Sequence, residues 1–109
     1  MKRIIAGIVL TLAVGALPLR AAGDAEAGKT VYDSKCKLCH GAQGEGNAVL
    51  AKSLKVEFRP LSSPEVQAKS DVELKKQISE GGGKMKPVTG LSEQQVQNVI
   101  AFVRSFAKS

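Results

Sequence analysis

Both cysteines and the single histidine of this 109-residue chain lie within five consecutive residues, Cys36-Lys37-Leu38-Cys39-His40. Any fold this chain adopts has to accommodate that convergence of reactive side chains. On a helix, positions i and i+3 share a face, so the two sulfurs point the same way and the imidazole follows directly. Four chemistries use such a segment. A structural zinc site needs four protein ligands, usually from two separated pairs, and the sequence has no further Cys or His for a second pair, leaving only carboxylates to substitute. A thioredoxin-like dithiol is expected beside a βαβ unit, and no parallel-strand pattern is present. A disulfide across a four-residue segment closes too small a loop to constrain the unfolded chain much. The fourth, C-x-x-C-H attachment of a haem, uses all three side chains: Cys36 and Cys39 reach the two vinyl groups and His40 swings over the iron.

Composition leaves room for a group of that size. The chain has four aromatic residues, Tyr32, Phe58, Phe102 and Phe106, and a small domain buries a smaller share of its surface than a large one does. Side chains alone are scant filling for its middle. The length allows one domain and excludes a multidomain enzyme. With 43% hydrophobic and 24% charged residues, collagen-like, coiled-coil and disordered chains are also excluded.

Residues 1–22 read as an export signal. Met1-Lys2-Arg3 precede an apolar stretch from Ile4 to Leu19, and Arg20-Ala21-Ala22-Gly23 restores charge and small residues. The stretch is 16 residues long and contains Gly7, Gly15 and Pro18, whereas a spanning helix needs roughly 20 apolar residues. Removal is therefore expected, with cleavage falling at 21–23; an uncleaved membrane anchor is the alternative. The signal takes Lys2, Arg3 and Arg20 with it while all ten acidic residues stay, so a net charge of +6 falls to +3. A surplus that small, without a groove-reading motif, gives no support to a nucleic-acid partner.

Residues 23–109 read as one all-α unit with long loops. Asp24 caps a first helix that is expected to run to about Leu38, with Gly41 as terminator. Ser63-Pro64-Glu65 opens a second helical region, renewed by the capping box of Ser70 and Glu73 and stopped by Gly81-Gly82-Gly83. Ser92 and Gln95 form another capping box before Val96, Val99, Ile100 and Val103, an apolar stripe at helical spacing. Between 41 and 62 no pattern persists, and so long a loop in so small a domain suggests that it wraps something functional. Gly28 inside the first helix costs about 1 kcal/mol relative to Ala. A close helix crossing would explain it, with Gly28 and Tyr32 facing Val99 and Phe102.

After residue 22 the chain holds one methionine, Met85, in Gly83-Lys84-Met85-Lys86-Pro87-Val88. A lone Met is commonly a core filler, but this one sits in a polar loop between a triple-Gly stop and a proline. A thioether opposite an imidazole raises the reduction potential of haem iron and blocks small-molecule access.

Gly28-Lys29-Thr30-Val31-Tyr32, Cys36-Lys37-Leu38-Cys39-His40-Gly41, Gly83-Lys84-Met85-Lys86-Pro87 and Val99-Ile100-Ala101-Phe102-Val103-Arg104-Ser105 together resemble, in order, the landmark segments of the small monohaem class I cytochromes c of bacteria. The resemblance spans essentially all of residues 23–109. It implies an all-α cytochrome c fold wrapped around one haem c, covalently held by Cys36 and Cys39, with His40 and Met85 as the axial ligands of its iron. It further implies a periplasmic single-electron carrier that serves redox protein partners, with no bond-making chemistry and no small-molecule substrate. Many relatives carry a proline after the motif whose carbonyl accepts the proton of the proximal histidine. None stands in Gly44-Glu45-Gly46-Asn47-Ala48-Val49, so another backbone carbonyl is expected to hold His40 Nδ1. Lys35, Lys37, Lys52, Lys84 and Lys86 fall in the segments that would surround the haem edge. They form either a basic ring that steers acidic faces of partners into place or an ordinary solvated surface.

Overall fold

The computed structural model describes Gly7 and residues 23–108. Apart from Gly7, the expected signal segment lies outside the described residues. The first helix, α1 (Ala25–Lys35), starts where Asp24 turns its carboxylate back onto the N–H groups of Glu26 and Ala27, satisfying two donors that a first turn leaves open. It stops short of Leu38: the backbone turns at Cys36 and a separate single turn, α2 (Lys37–His40), follows. The stretch expected to be an unbroken loop also holds a helix, α3 (Ala48–Leu54), capped by Asn47. The region opened by Ser63 divides as its two caps imply, into α4 (Pro64–Gln67) and α5 (Asp71–Glu80), the latter begun by the capping box of Ser70 and Glu73. The capping box of Ser92 and Gln95 begins α6 (Glu93–Ser105), which tightens into a 3-10 turn over Phe106–Lys108. No strand occurs among the described residues, only an isolated bridge between Gly82 and Met85.

The molecule is organised on the crossing of α1 over α6. A β-carbon at Gly28 would overlap the carbonyl group of Asn98 and lie 2.9 Å from the Val99 nitrogen. The Asn98 side chain accepts from the Asp24 N–H at 2.8 Å and fixes the start of α1 on the same helix. One turn beyond the notch, Tyr32 is wholly buried. Its ring centroid lies 5.1 Å from that of Phe102 and 5.5 Å from that of Phe106, and Val99 and Val103 complete the cluster. The expected notch is thus present, but the group it admits is the α6 backbone, while Tyr32 meets the aromatic side chains.

The four stripe residues of α6 are its buried ones. Val96 and Ile100 form a second cluster with Leu74 of α5. Arg104 of α6 donates to the carbonyls of Gln67 at 2.9 Å and Lys69 at 2.6 Å and pairs with Asp71 at 2.8 Å, pinning the turn between α4 and α5. Among the described residues the buried apolar side chains, Tyr32, Leu74, Val96, Val99, Ile100, Val103 and Phe106, therefore come from α1, α5, α6 and the turn that ends α6. The segment from 36 to 63 contributes none of them.

Replacing Gly28 by Ala forces the two backbones apart. Thermal unfolding followed by circular dichroism should show a loss of about 2–3 kcal/mol, or roughly 10–20 °C in Tm. A variant that melts with the wild type would show that the crossing is not close.

Candidate functional site

The motif is built as a corner. At the end of α1 the Cys36 N–H still bonds to the Tyr32 carbonyl at 2.8 Å; α2 then closes with His40 N–H on Cys36 at 2.9 Å and Gly41 N–H on Lys37 at 2.8 Å. The Tyr32 hydroxyl donates to the Gly41 carbonyl at 2.5 Å, so the buried ring that anchors α1 also ties down the residue after His40. Cys36 and Cys39 are both half-buried, and no disulfide joins them. Burial, reinforced by Cys39, pushes the Cys36 thiol up to about 11. Burial holds the His40 imidazole below its usual range, which keeps it in the neutral form that can ligate a metal.

An apolar cleft with about 670 Å³ of free space, part of it open to solvent, runs beside this corner. Its wall brings together Cys36, His40 and Met85, which the sequence places far apart, with Tyr32, Leu74, Ile78, Val99, Ile100 and Val103 of α1, α5 and α6. Cys39 is not among the residues of that wall. Among the described residues, the polar side chains in it beside His40 and Tyr32 are Lys69 and Gln77. Met85 is delivered by a tight turn after α5, in which its N–H and carbonyl exchange bonds of 2.9 and 3.0 Å with Gly82. The Gln77 amide donates to the Met85 sulfur at 3.4 Å.

Two features differ from expectation. No backbone carbonyl holds His40 Nδ1: the atom is buried without a hydrogen-bond partner among the described residues. The ring that meets the imidazole is Phe58, with centroids 5.7 Å apart and planes at 66°. The second feature is Asn47, which links the motif to α3. Its N–H donates to the Cys39 carbonyl at 2.8 Å, its side-chain amide donates to the Leu38 carbonyl at 3.0 Å, and its side-chain oxygen accepts from Val49 and Leu50. An Asn ahead of Ala-Val-Leu is a legible N-cap signal, obscured by the glycines around it. Nothing in the sequence singles out Gln77.

This donor set suits a haem better than it suits the alternatives. Two cysteines that are not disulfide-bonded, a neutral imidazole and a thioether stand at or beside an apolar cleft that opens to solvent. Among the described residues no three His, Cys, Asp or Glu side chains gather to hold a metal ion, which deprives a zinc site of its ligands.

Comparison with known proteins agrees. The sequence profile of the family described as cytochrome c matches residues 25–107. Cytochrome c-554(547) of Halothiobacillus neapolitanus is 39% identical over 90 residues, covering 75% of this chain and 96% of that protein. Cytochrome c6 of Rippkaea orientalis is 32% identical over an alignment of 117 residues, covering 100% of this chain and 97% of that protein. Among solved structures, the c-type cytochrome KustC0563 matches with a TM-score of 0.63 at 33% identity, over 72% of this chain and 95% of that one.

Asn47→Ala removes a cap and the brace on Leu38 together, and should cost about 1–2 kcal/mol in urea unfolding. Asn47→Asp keeps the cap and should lose less. Wild-type stability in the Ala variant would mean that Asn47 does not brace the motif.

Proposed function

Because the chain belongs to the cytochrome c family, we propose that its haem c is joined to Cys36 and Cys39 and ligated at iron by His40 and Met85. On this reading the protein passes single electrons between redox proteins outside the cytoplasm. The observation that carries the reading is one apolar cleft entered by His40 from α2 and by Met85 from the turn after α5.

The haem supplies the one-electron couple. The chain's own residues set the conditions under which that couple works. Burial keeps His40 neutral and ready to bind iron. The Met85 thioether favours the reduced state, and Gln77 holds its sulfur in place. Valine, leucine and isoleucine walls exclude water, which disfavours the extra charge of the oxidised state. If His40 and Met85 both held the iron, they would leave a substrate no place at it, which fits a protein that carries electrons rather than catalysing a reaction. Export rests on the pattern of residues 1–22; no helix among the described residues is long and apolar enough to cross a membrane.

The docking face lies around the motif. Leu38 and Val49 are three-quarters exposed and are linked through Asn47. Lys84 donates to the Leu54 carbonyl and joins the Met85 turn to the end of α3. Lys35, Lys37, Lys52, Lys84 and Lys86 are exposed, and none of them forms an ion pair among the described residues. An apolar centre with unneutralised lysines fits a partner whose face is acidic.

Intact mass and visible spectra of protein exported in a host that attaches haem to C-x-x-C-H sequences test the assignment. A mass raised by one haem and a low-spin spectrum with an Fe–S charge-transfer band in the oxidised form are expected. Met85→Ala should bind carbon monoxide readily and the wild type should not; equal binding sinks Met85 as ligand. Raising the ionic strength from about 0.01 to 0.15 M shortens the screening length from about 30 to 8 Å and should slow association with an acidic partner about tenfold or more. A rate that does not respond to salt would return the lysines to ordinary surface.

A further inference from the structure

Haem is amphipathic. The vinyl groups that a C-x-x-C-H segment captures lie on one edge of the porphyrin, and two carboxylates lie on the edge opposite. A carboxylate carried into an apolar cleft is costly unless a cation or a hydrogen-bond donor meets it. The cleft beside the motif is walled mainly by apolar side chains, and among the described residues Lys69 alone brings a charge to that wall. Between residues 23 and 107 every other lysine is exposed, whereas Lys69 is half-buried. Lysine ordinarily stays in water, so its place at this wall requires an account.

The chain fixes Lys69 and occupies the acids around it. Lys69 lies in the turn between α4 and α5, where its N–H donates to the Val66 carbonyl at 3.1 Å and its carbonyl accepts from Arg104 at 2.6 Å. Arg104 also donates to the Gln67 carbonyl, and the Gln67 side-chain amide donates to the carbonyls of Leu61 and Val103, so the turn is bonded to α6 at two successive residues. Each acidic side chain close to Lys69 in sequence is engaged by another group. Glu65 pairs with Arg59 at 2.7 Å, Asp71 pairs with Arg104 at 2.8 Å, and Glu73 serves the capping box of Ser70. Lys69 thus reaches the cleft from a fixed backbone, with those three carboxylates committed elsewhere.

We propose that Lys69 is a cofactor-binding residue whose ammonium group receives a haem carboxylate at the wall of the cleft. The cofactor is then held at both edges, covalently by Cys36 and Cys39 and by a charge-assisted hydrogen bond at Lys69. The same charge acts on the redox couple. A cation at the haem opposes the additional positive charge of ferric iron, so Lys69 raises the reduction potential and its removal favours the oxidised protein. The inference rests on the reading of the cleft as a haem site.

Nuclear magnetic resonance of the full haem-loaded protein in its ferrous form, labelled with ¹³C and ¹⁵N, tests the contact directly. Nuclear Overhauser contacts are expected between the side-chain methylenes of Lys69 and the methylenes that carry a haem carboxylate. Their absence overturns the proposal, and this is read on the wild type whether or not a variant folds. Lys69→Met keeps the apolar stem and removes the charge. At equilibrium with a reference electron carrier, the ratio of oxidised to reduced protein should rise about threefold or more over the wild type, and Lys69→Arg should keep most of the wild-type ratio. An unchanged ratio in Lys69→Met, with its low-spin spectrum intact, means that the stem merely packs against the cleft, and the proposal fails. A mass without haem, from a host shown to mature another c-type cytochrome, instead sinks the haem reading itself, which separates the two failures.

Discussion

The contact of Gly28 with the α6 backbone at Asn98 is the constraint on which the rest of the molecule depends. It sets how deeply α1 sits on α6, and that depth places Tyr32 wholly inside, against Phe102 and Phe106. From there the Tyr32 hydroxyl reaches Gly41 and fixes the residue that follows His40. Burial raises the Tyr32 phenol well above its usual range, so the group stays a donor at physiological pH. The far half of α6 works in the same way on the other side of the cleft. Ile100 and Val96 hold Leu74 of α5, and α5 carries the turn that delivers Met85. One helix crossing therefore governs both ends of the site.

How much of this could be read from the sequence follows from how local each signal is. The caps at Asp24, Ser63, Ser70 and Ser92 involve residues two or three positions apart, and the helices begin where those residues say. The C-x-x-C-H segment and the Met85 turn are equally local, and the structure brings Cys36, His40 and Met85 to one cleft. The presence of α3 was not legible, because it has seven residues, no buried side chain and a three-quarters exposed valine, so it leaves no apolar stripe. Its cap does double duty for the motif, and that second task involves the carbonyl of Leu38, which no pattern of side chains reports. The contact of His40 with Phe58 was not legible for a related reason. A hydrogen bond from Nδ1 is the general rule, but Phe58 reaches the ring from a separate segment through a gap left by Gly46.

The residues that line the cleft and the residues that form the core are largely the same. Tyr32, Val99 and Val103 belong to the first cluster, and Leu74 and Ile100 to the second, and all five face the cleft. The division that holds in many proteins, between a scaffold that supplies stability and a site mounted on it, does not apply to this one. A haem in the cleft would cover apolar surface on both clusters at once, and each cluster has few members of its own. The scarcity of aromatic side chains is then a consequence of the fold's plan, since the largest apolar body in the molecule is not made of amino acids. Any group that binds only the folded chain stabilises it by mass action, and a covalent group does so without a concentration dependence.

That shared interior also bears on the chemistry. A carrier that changes charge by one unit works with least rearrangement when its ligands, proposed here as His40 and Met85, are held by groups that do not themselves move. His40 is held by Tyr32 through Gly41, by Gly46 at its carbonyl and by Phe58 at its ring; Met85 is held by Gly82 on its backbone and by Gln77 at its sulfur. The two sets differ in kind. The histidine side rests on packing against the α1–α6 crossing, the most deeply buried part of the molecule, whereas the methionine side rests on a single short turn and one amide. The histidine side also lies within a continuous backbone path from α1, while the Met85 turn has behind it α5, the bond from Val88 to Ile78 and the bond from the exposed Lys84 to the Leu54 carbonyl. Local opening of the protein should therefore begin at the methionine side, with the least stable segment lying where the fewest buried contacts are made.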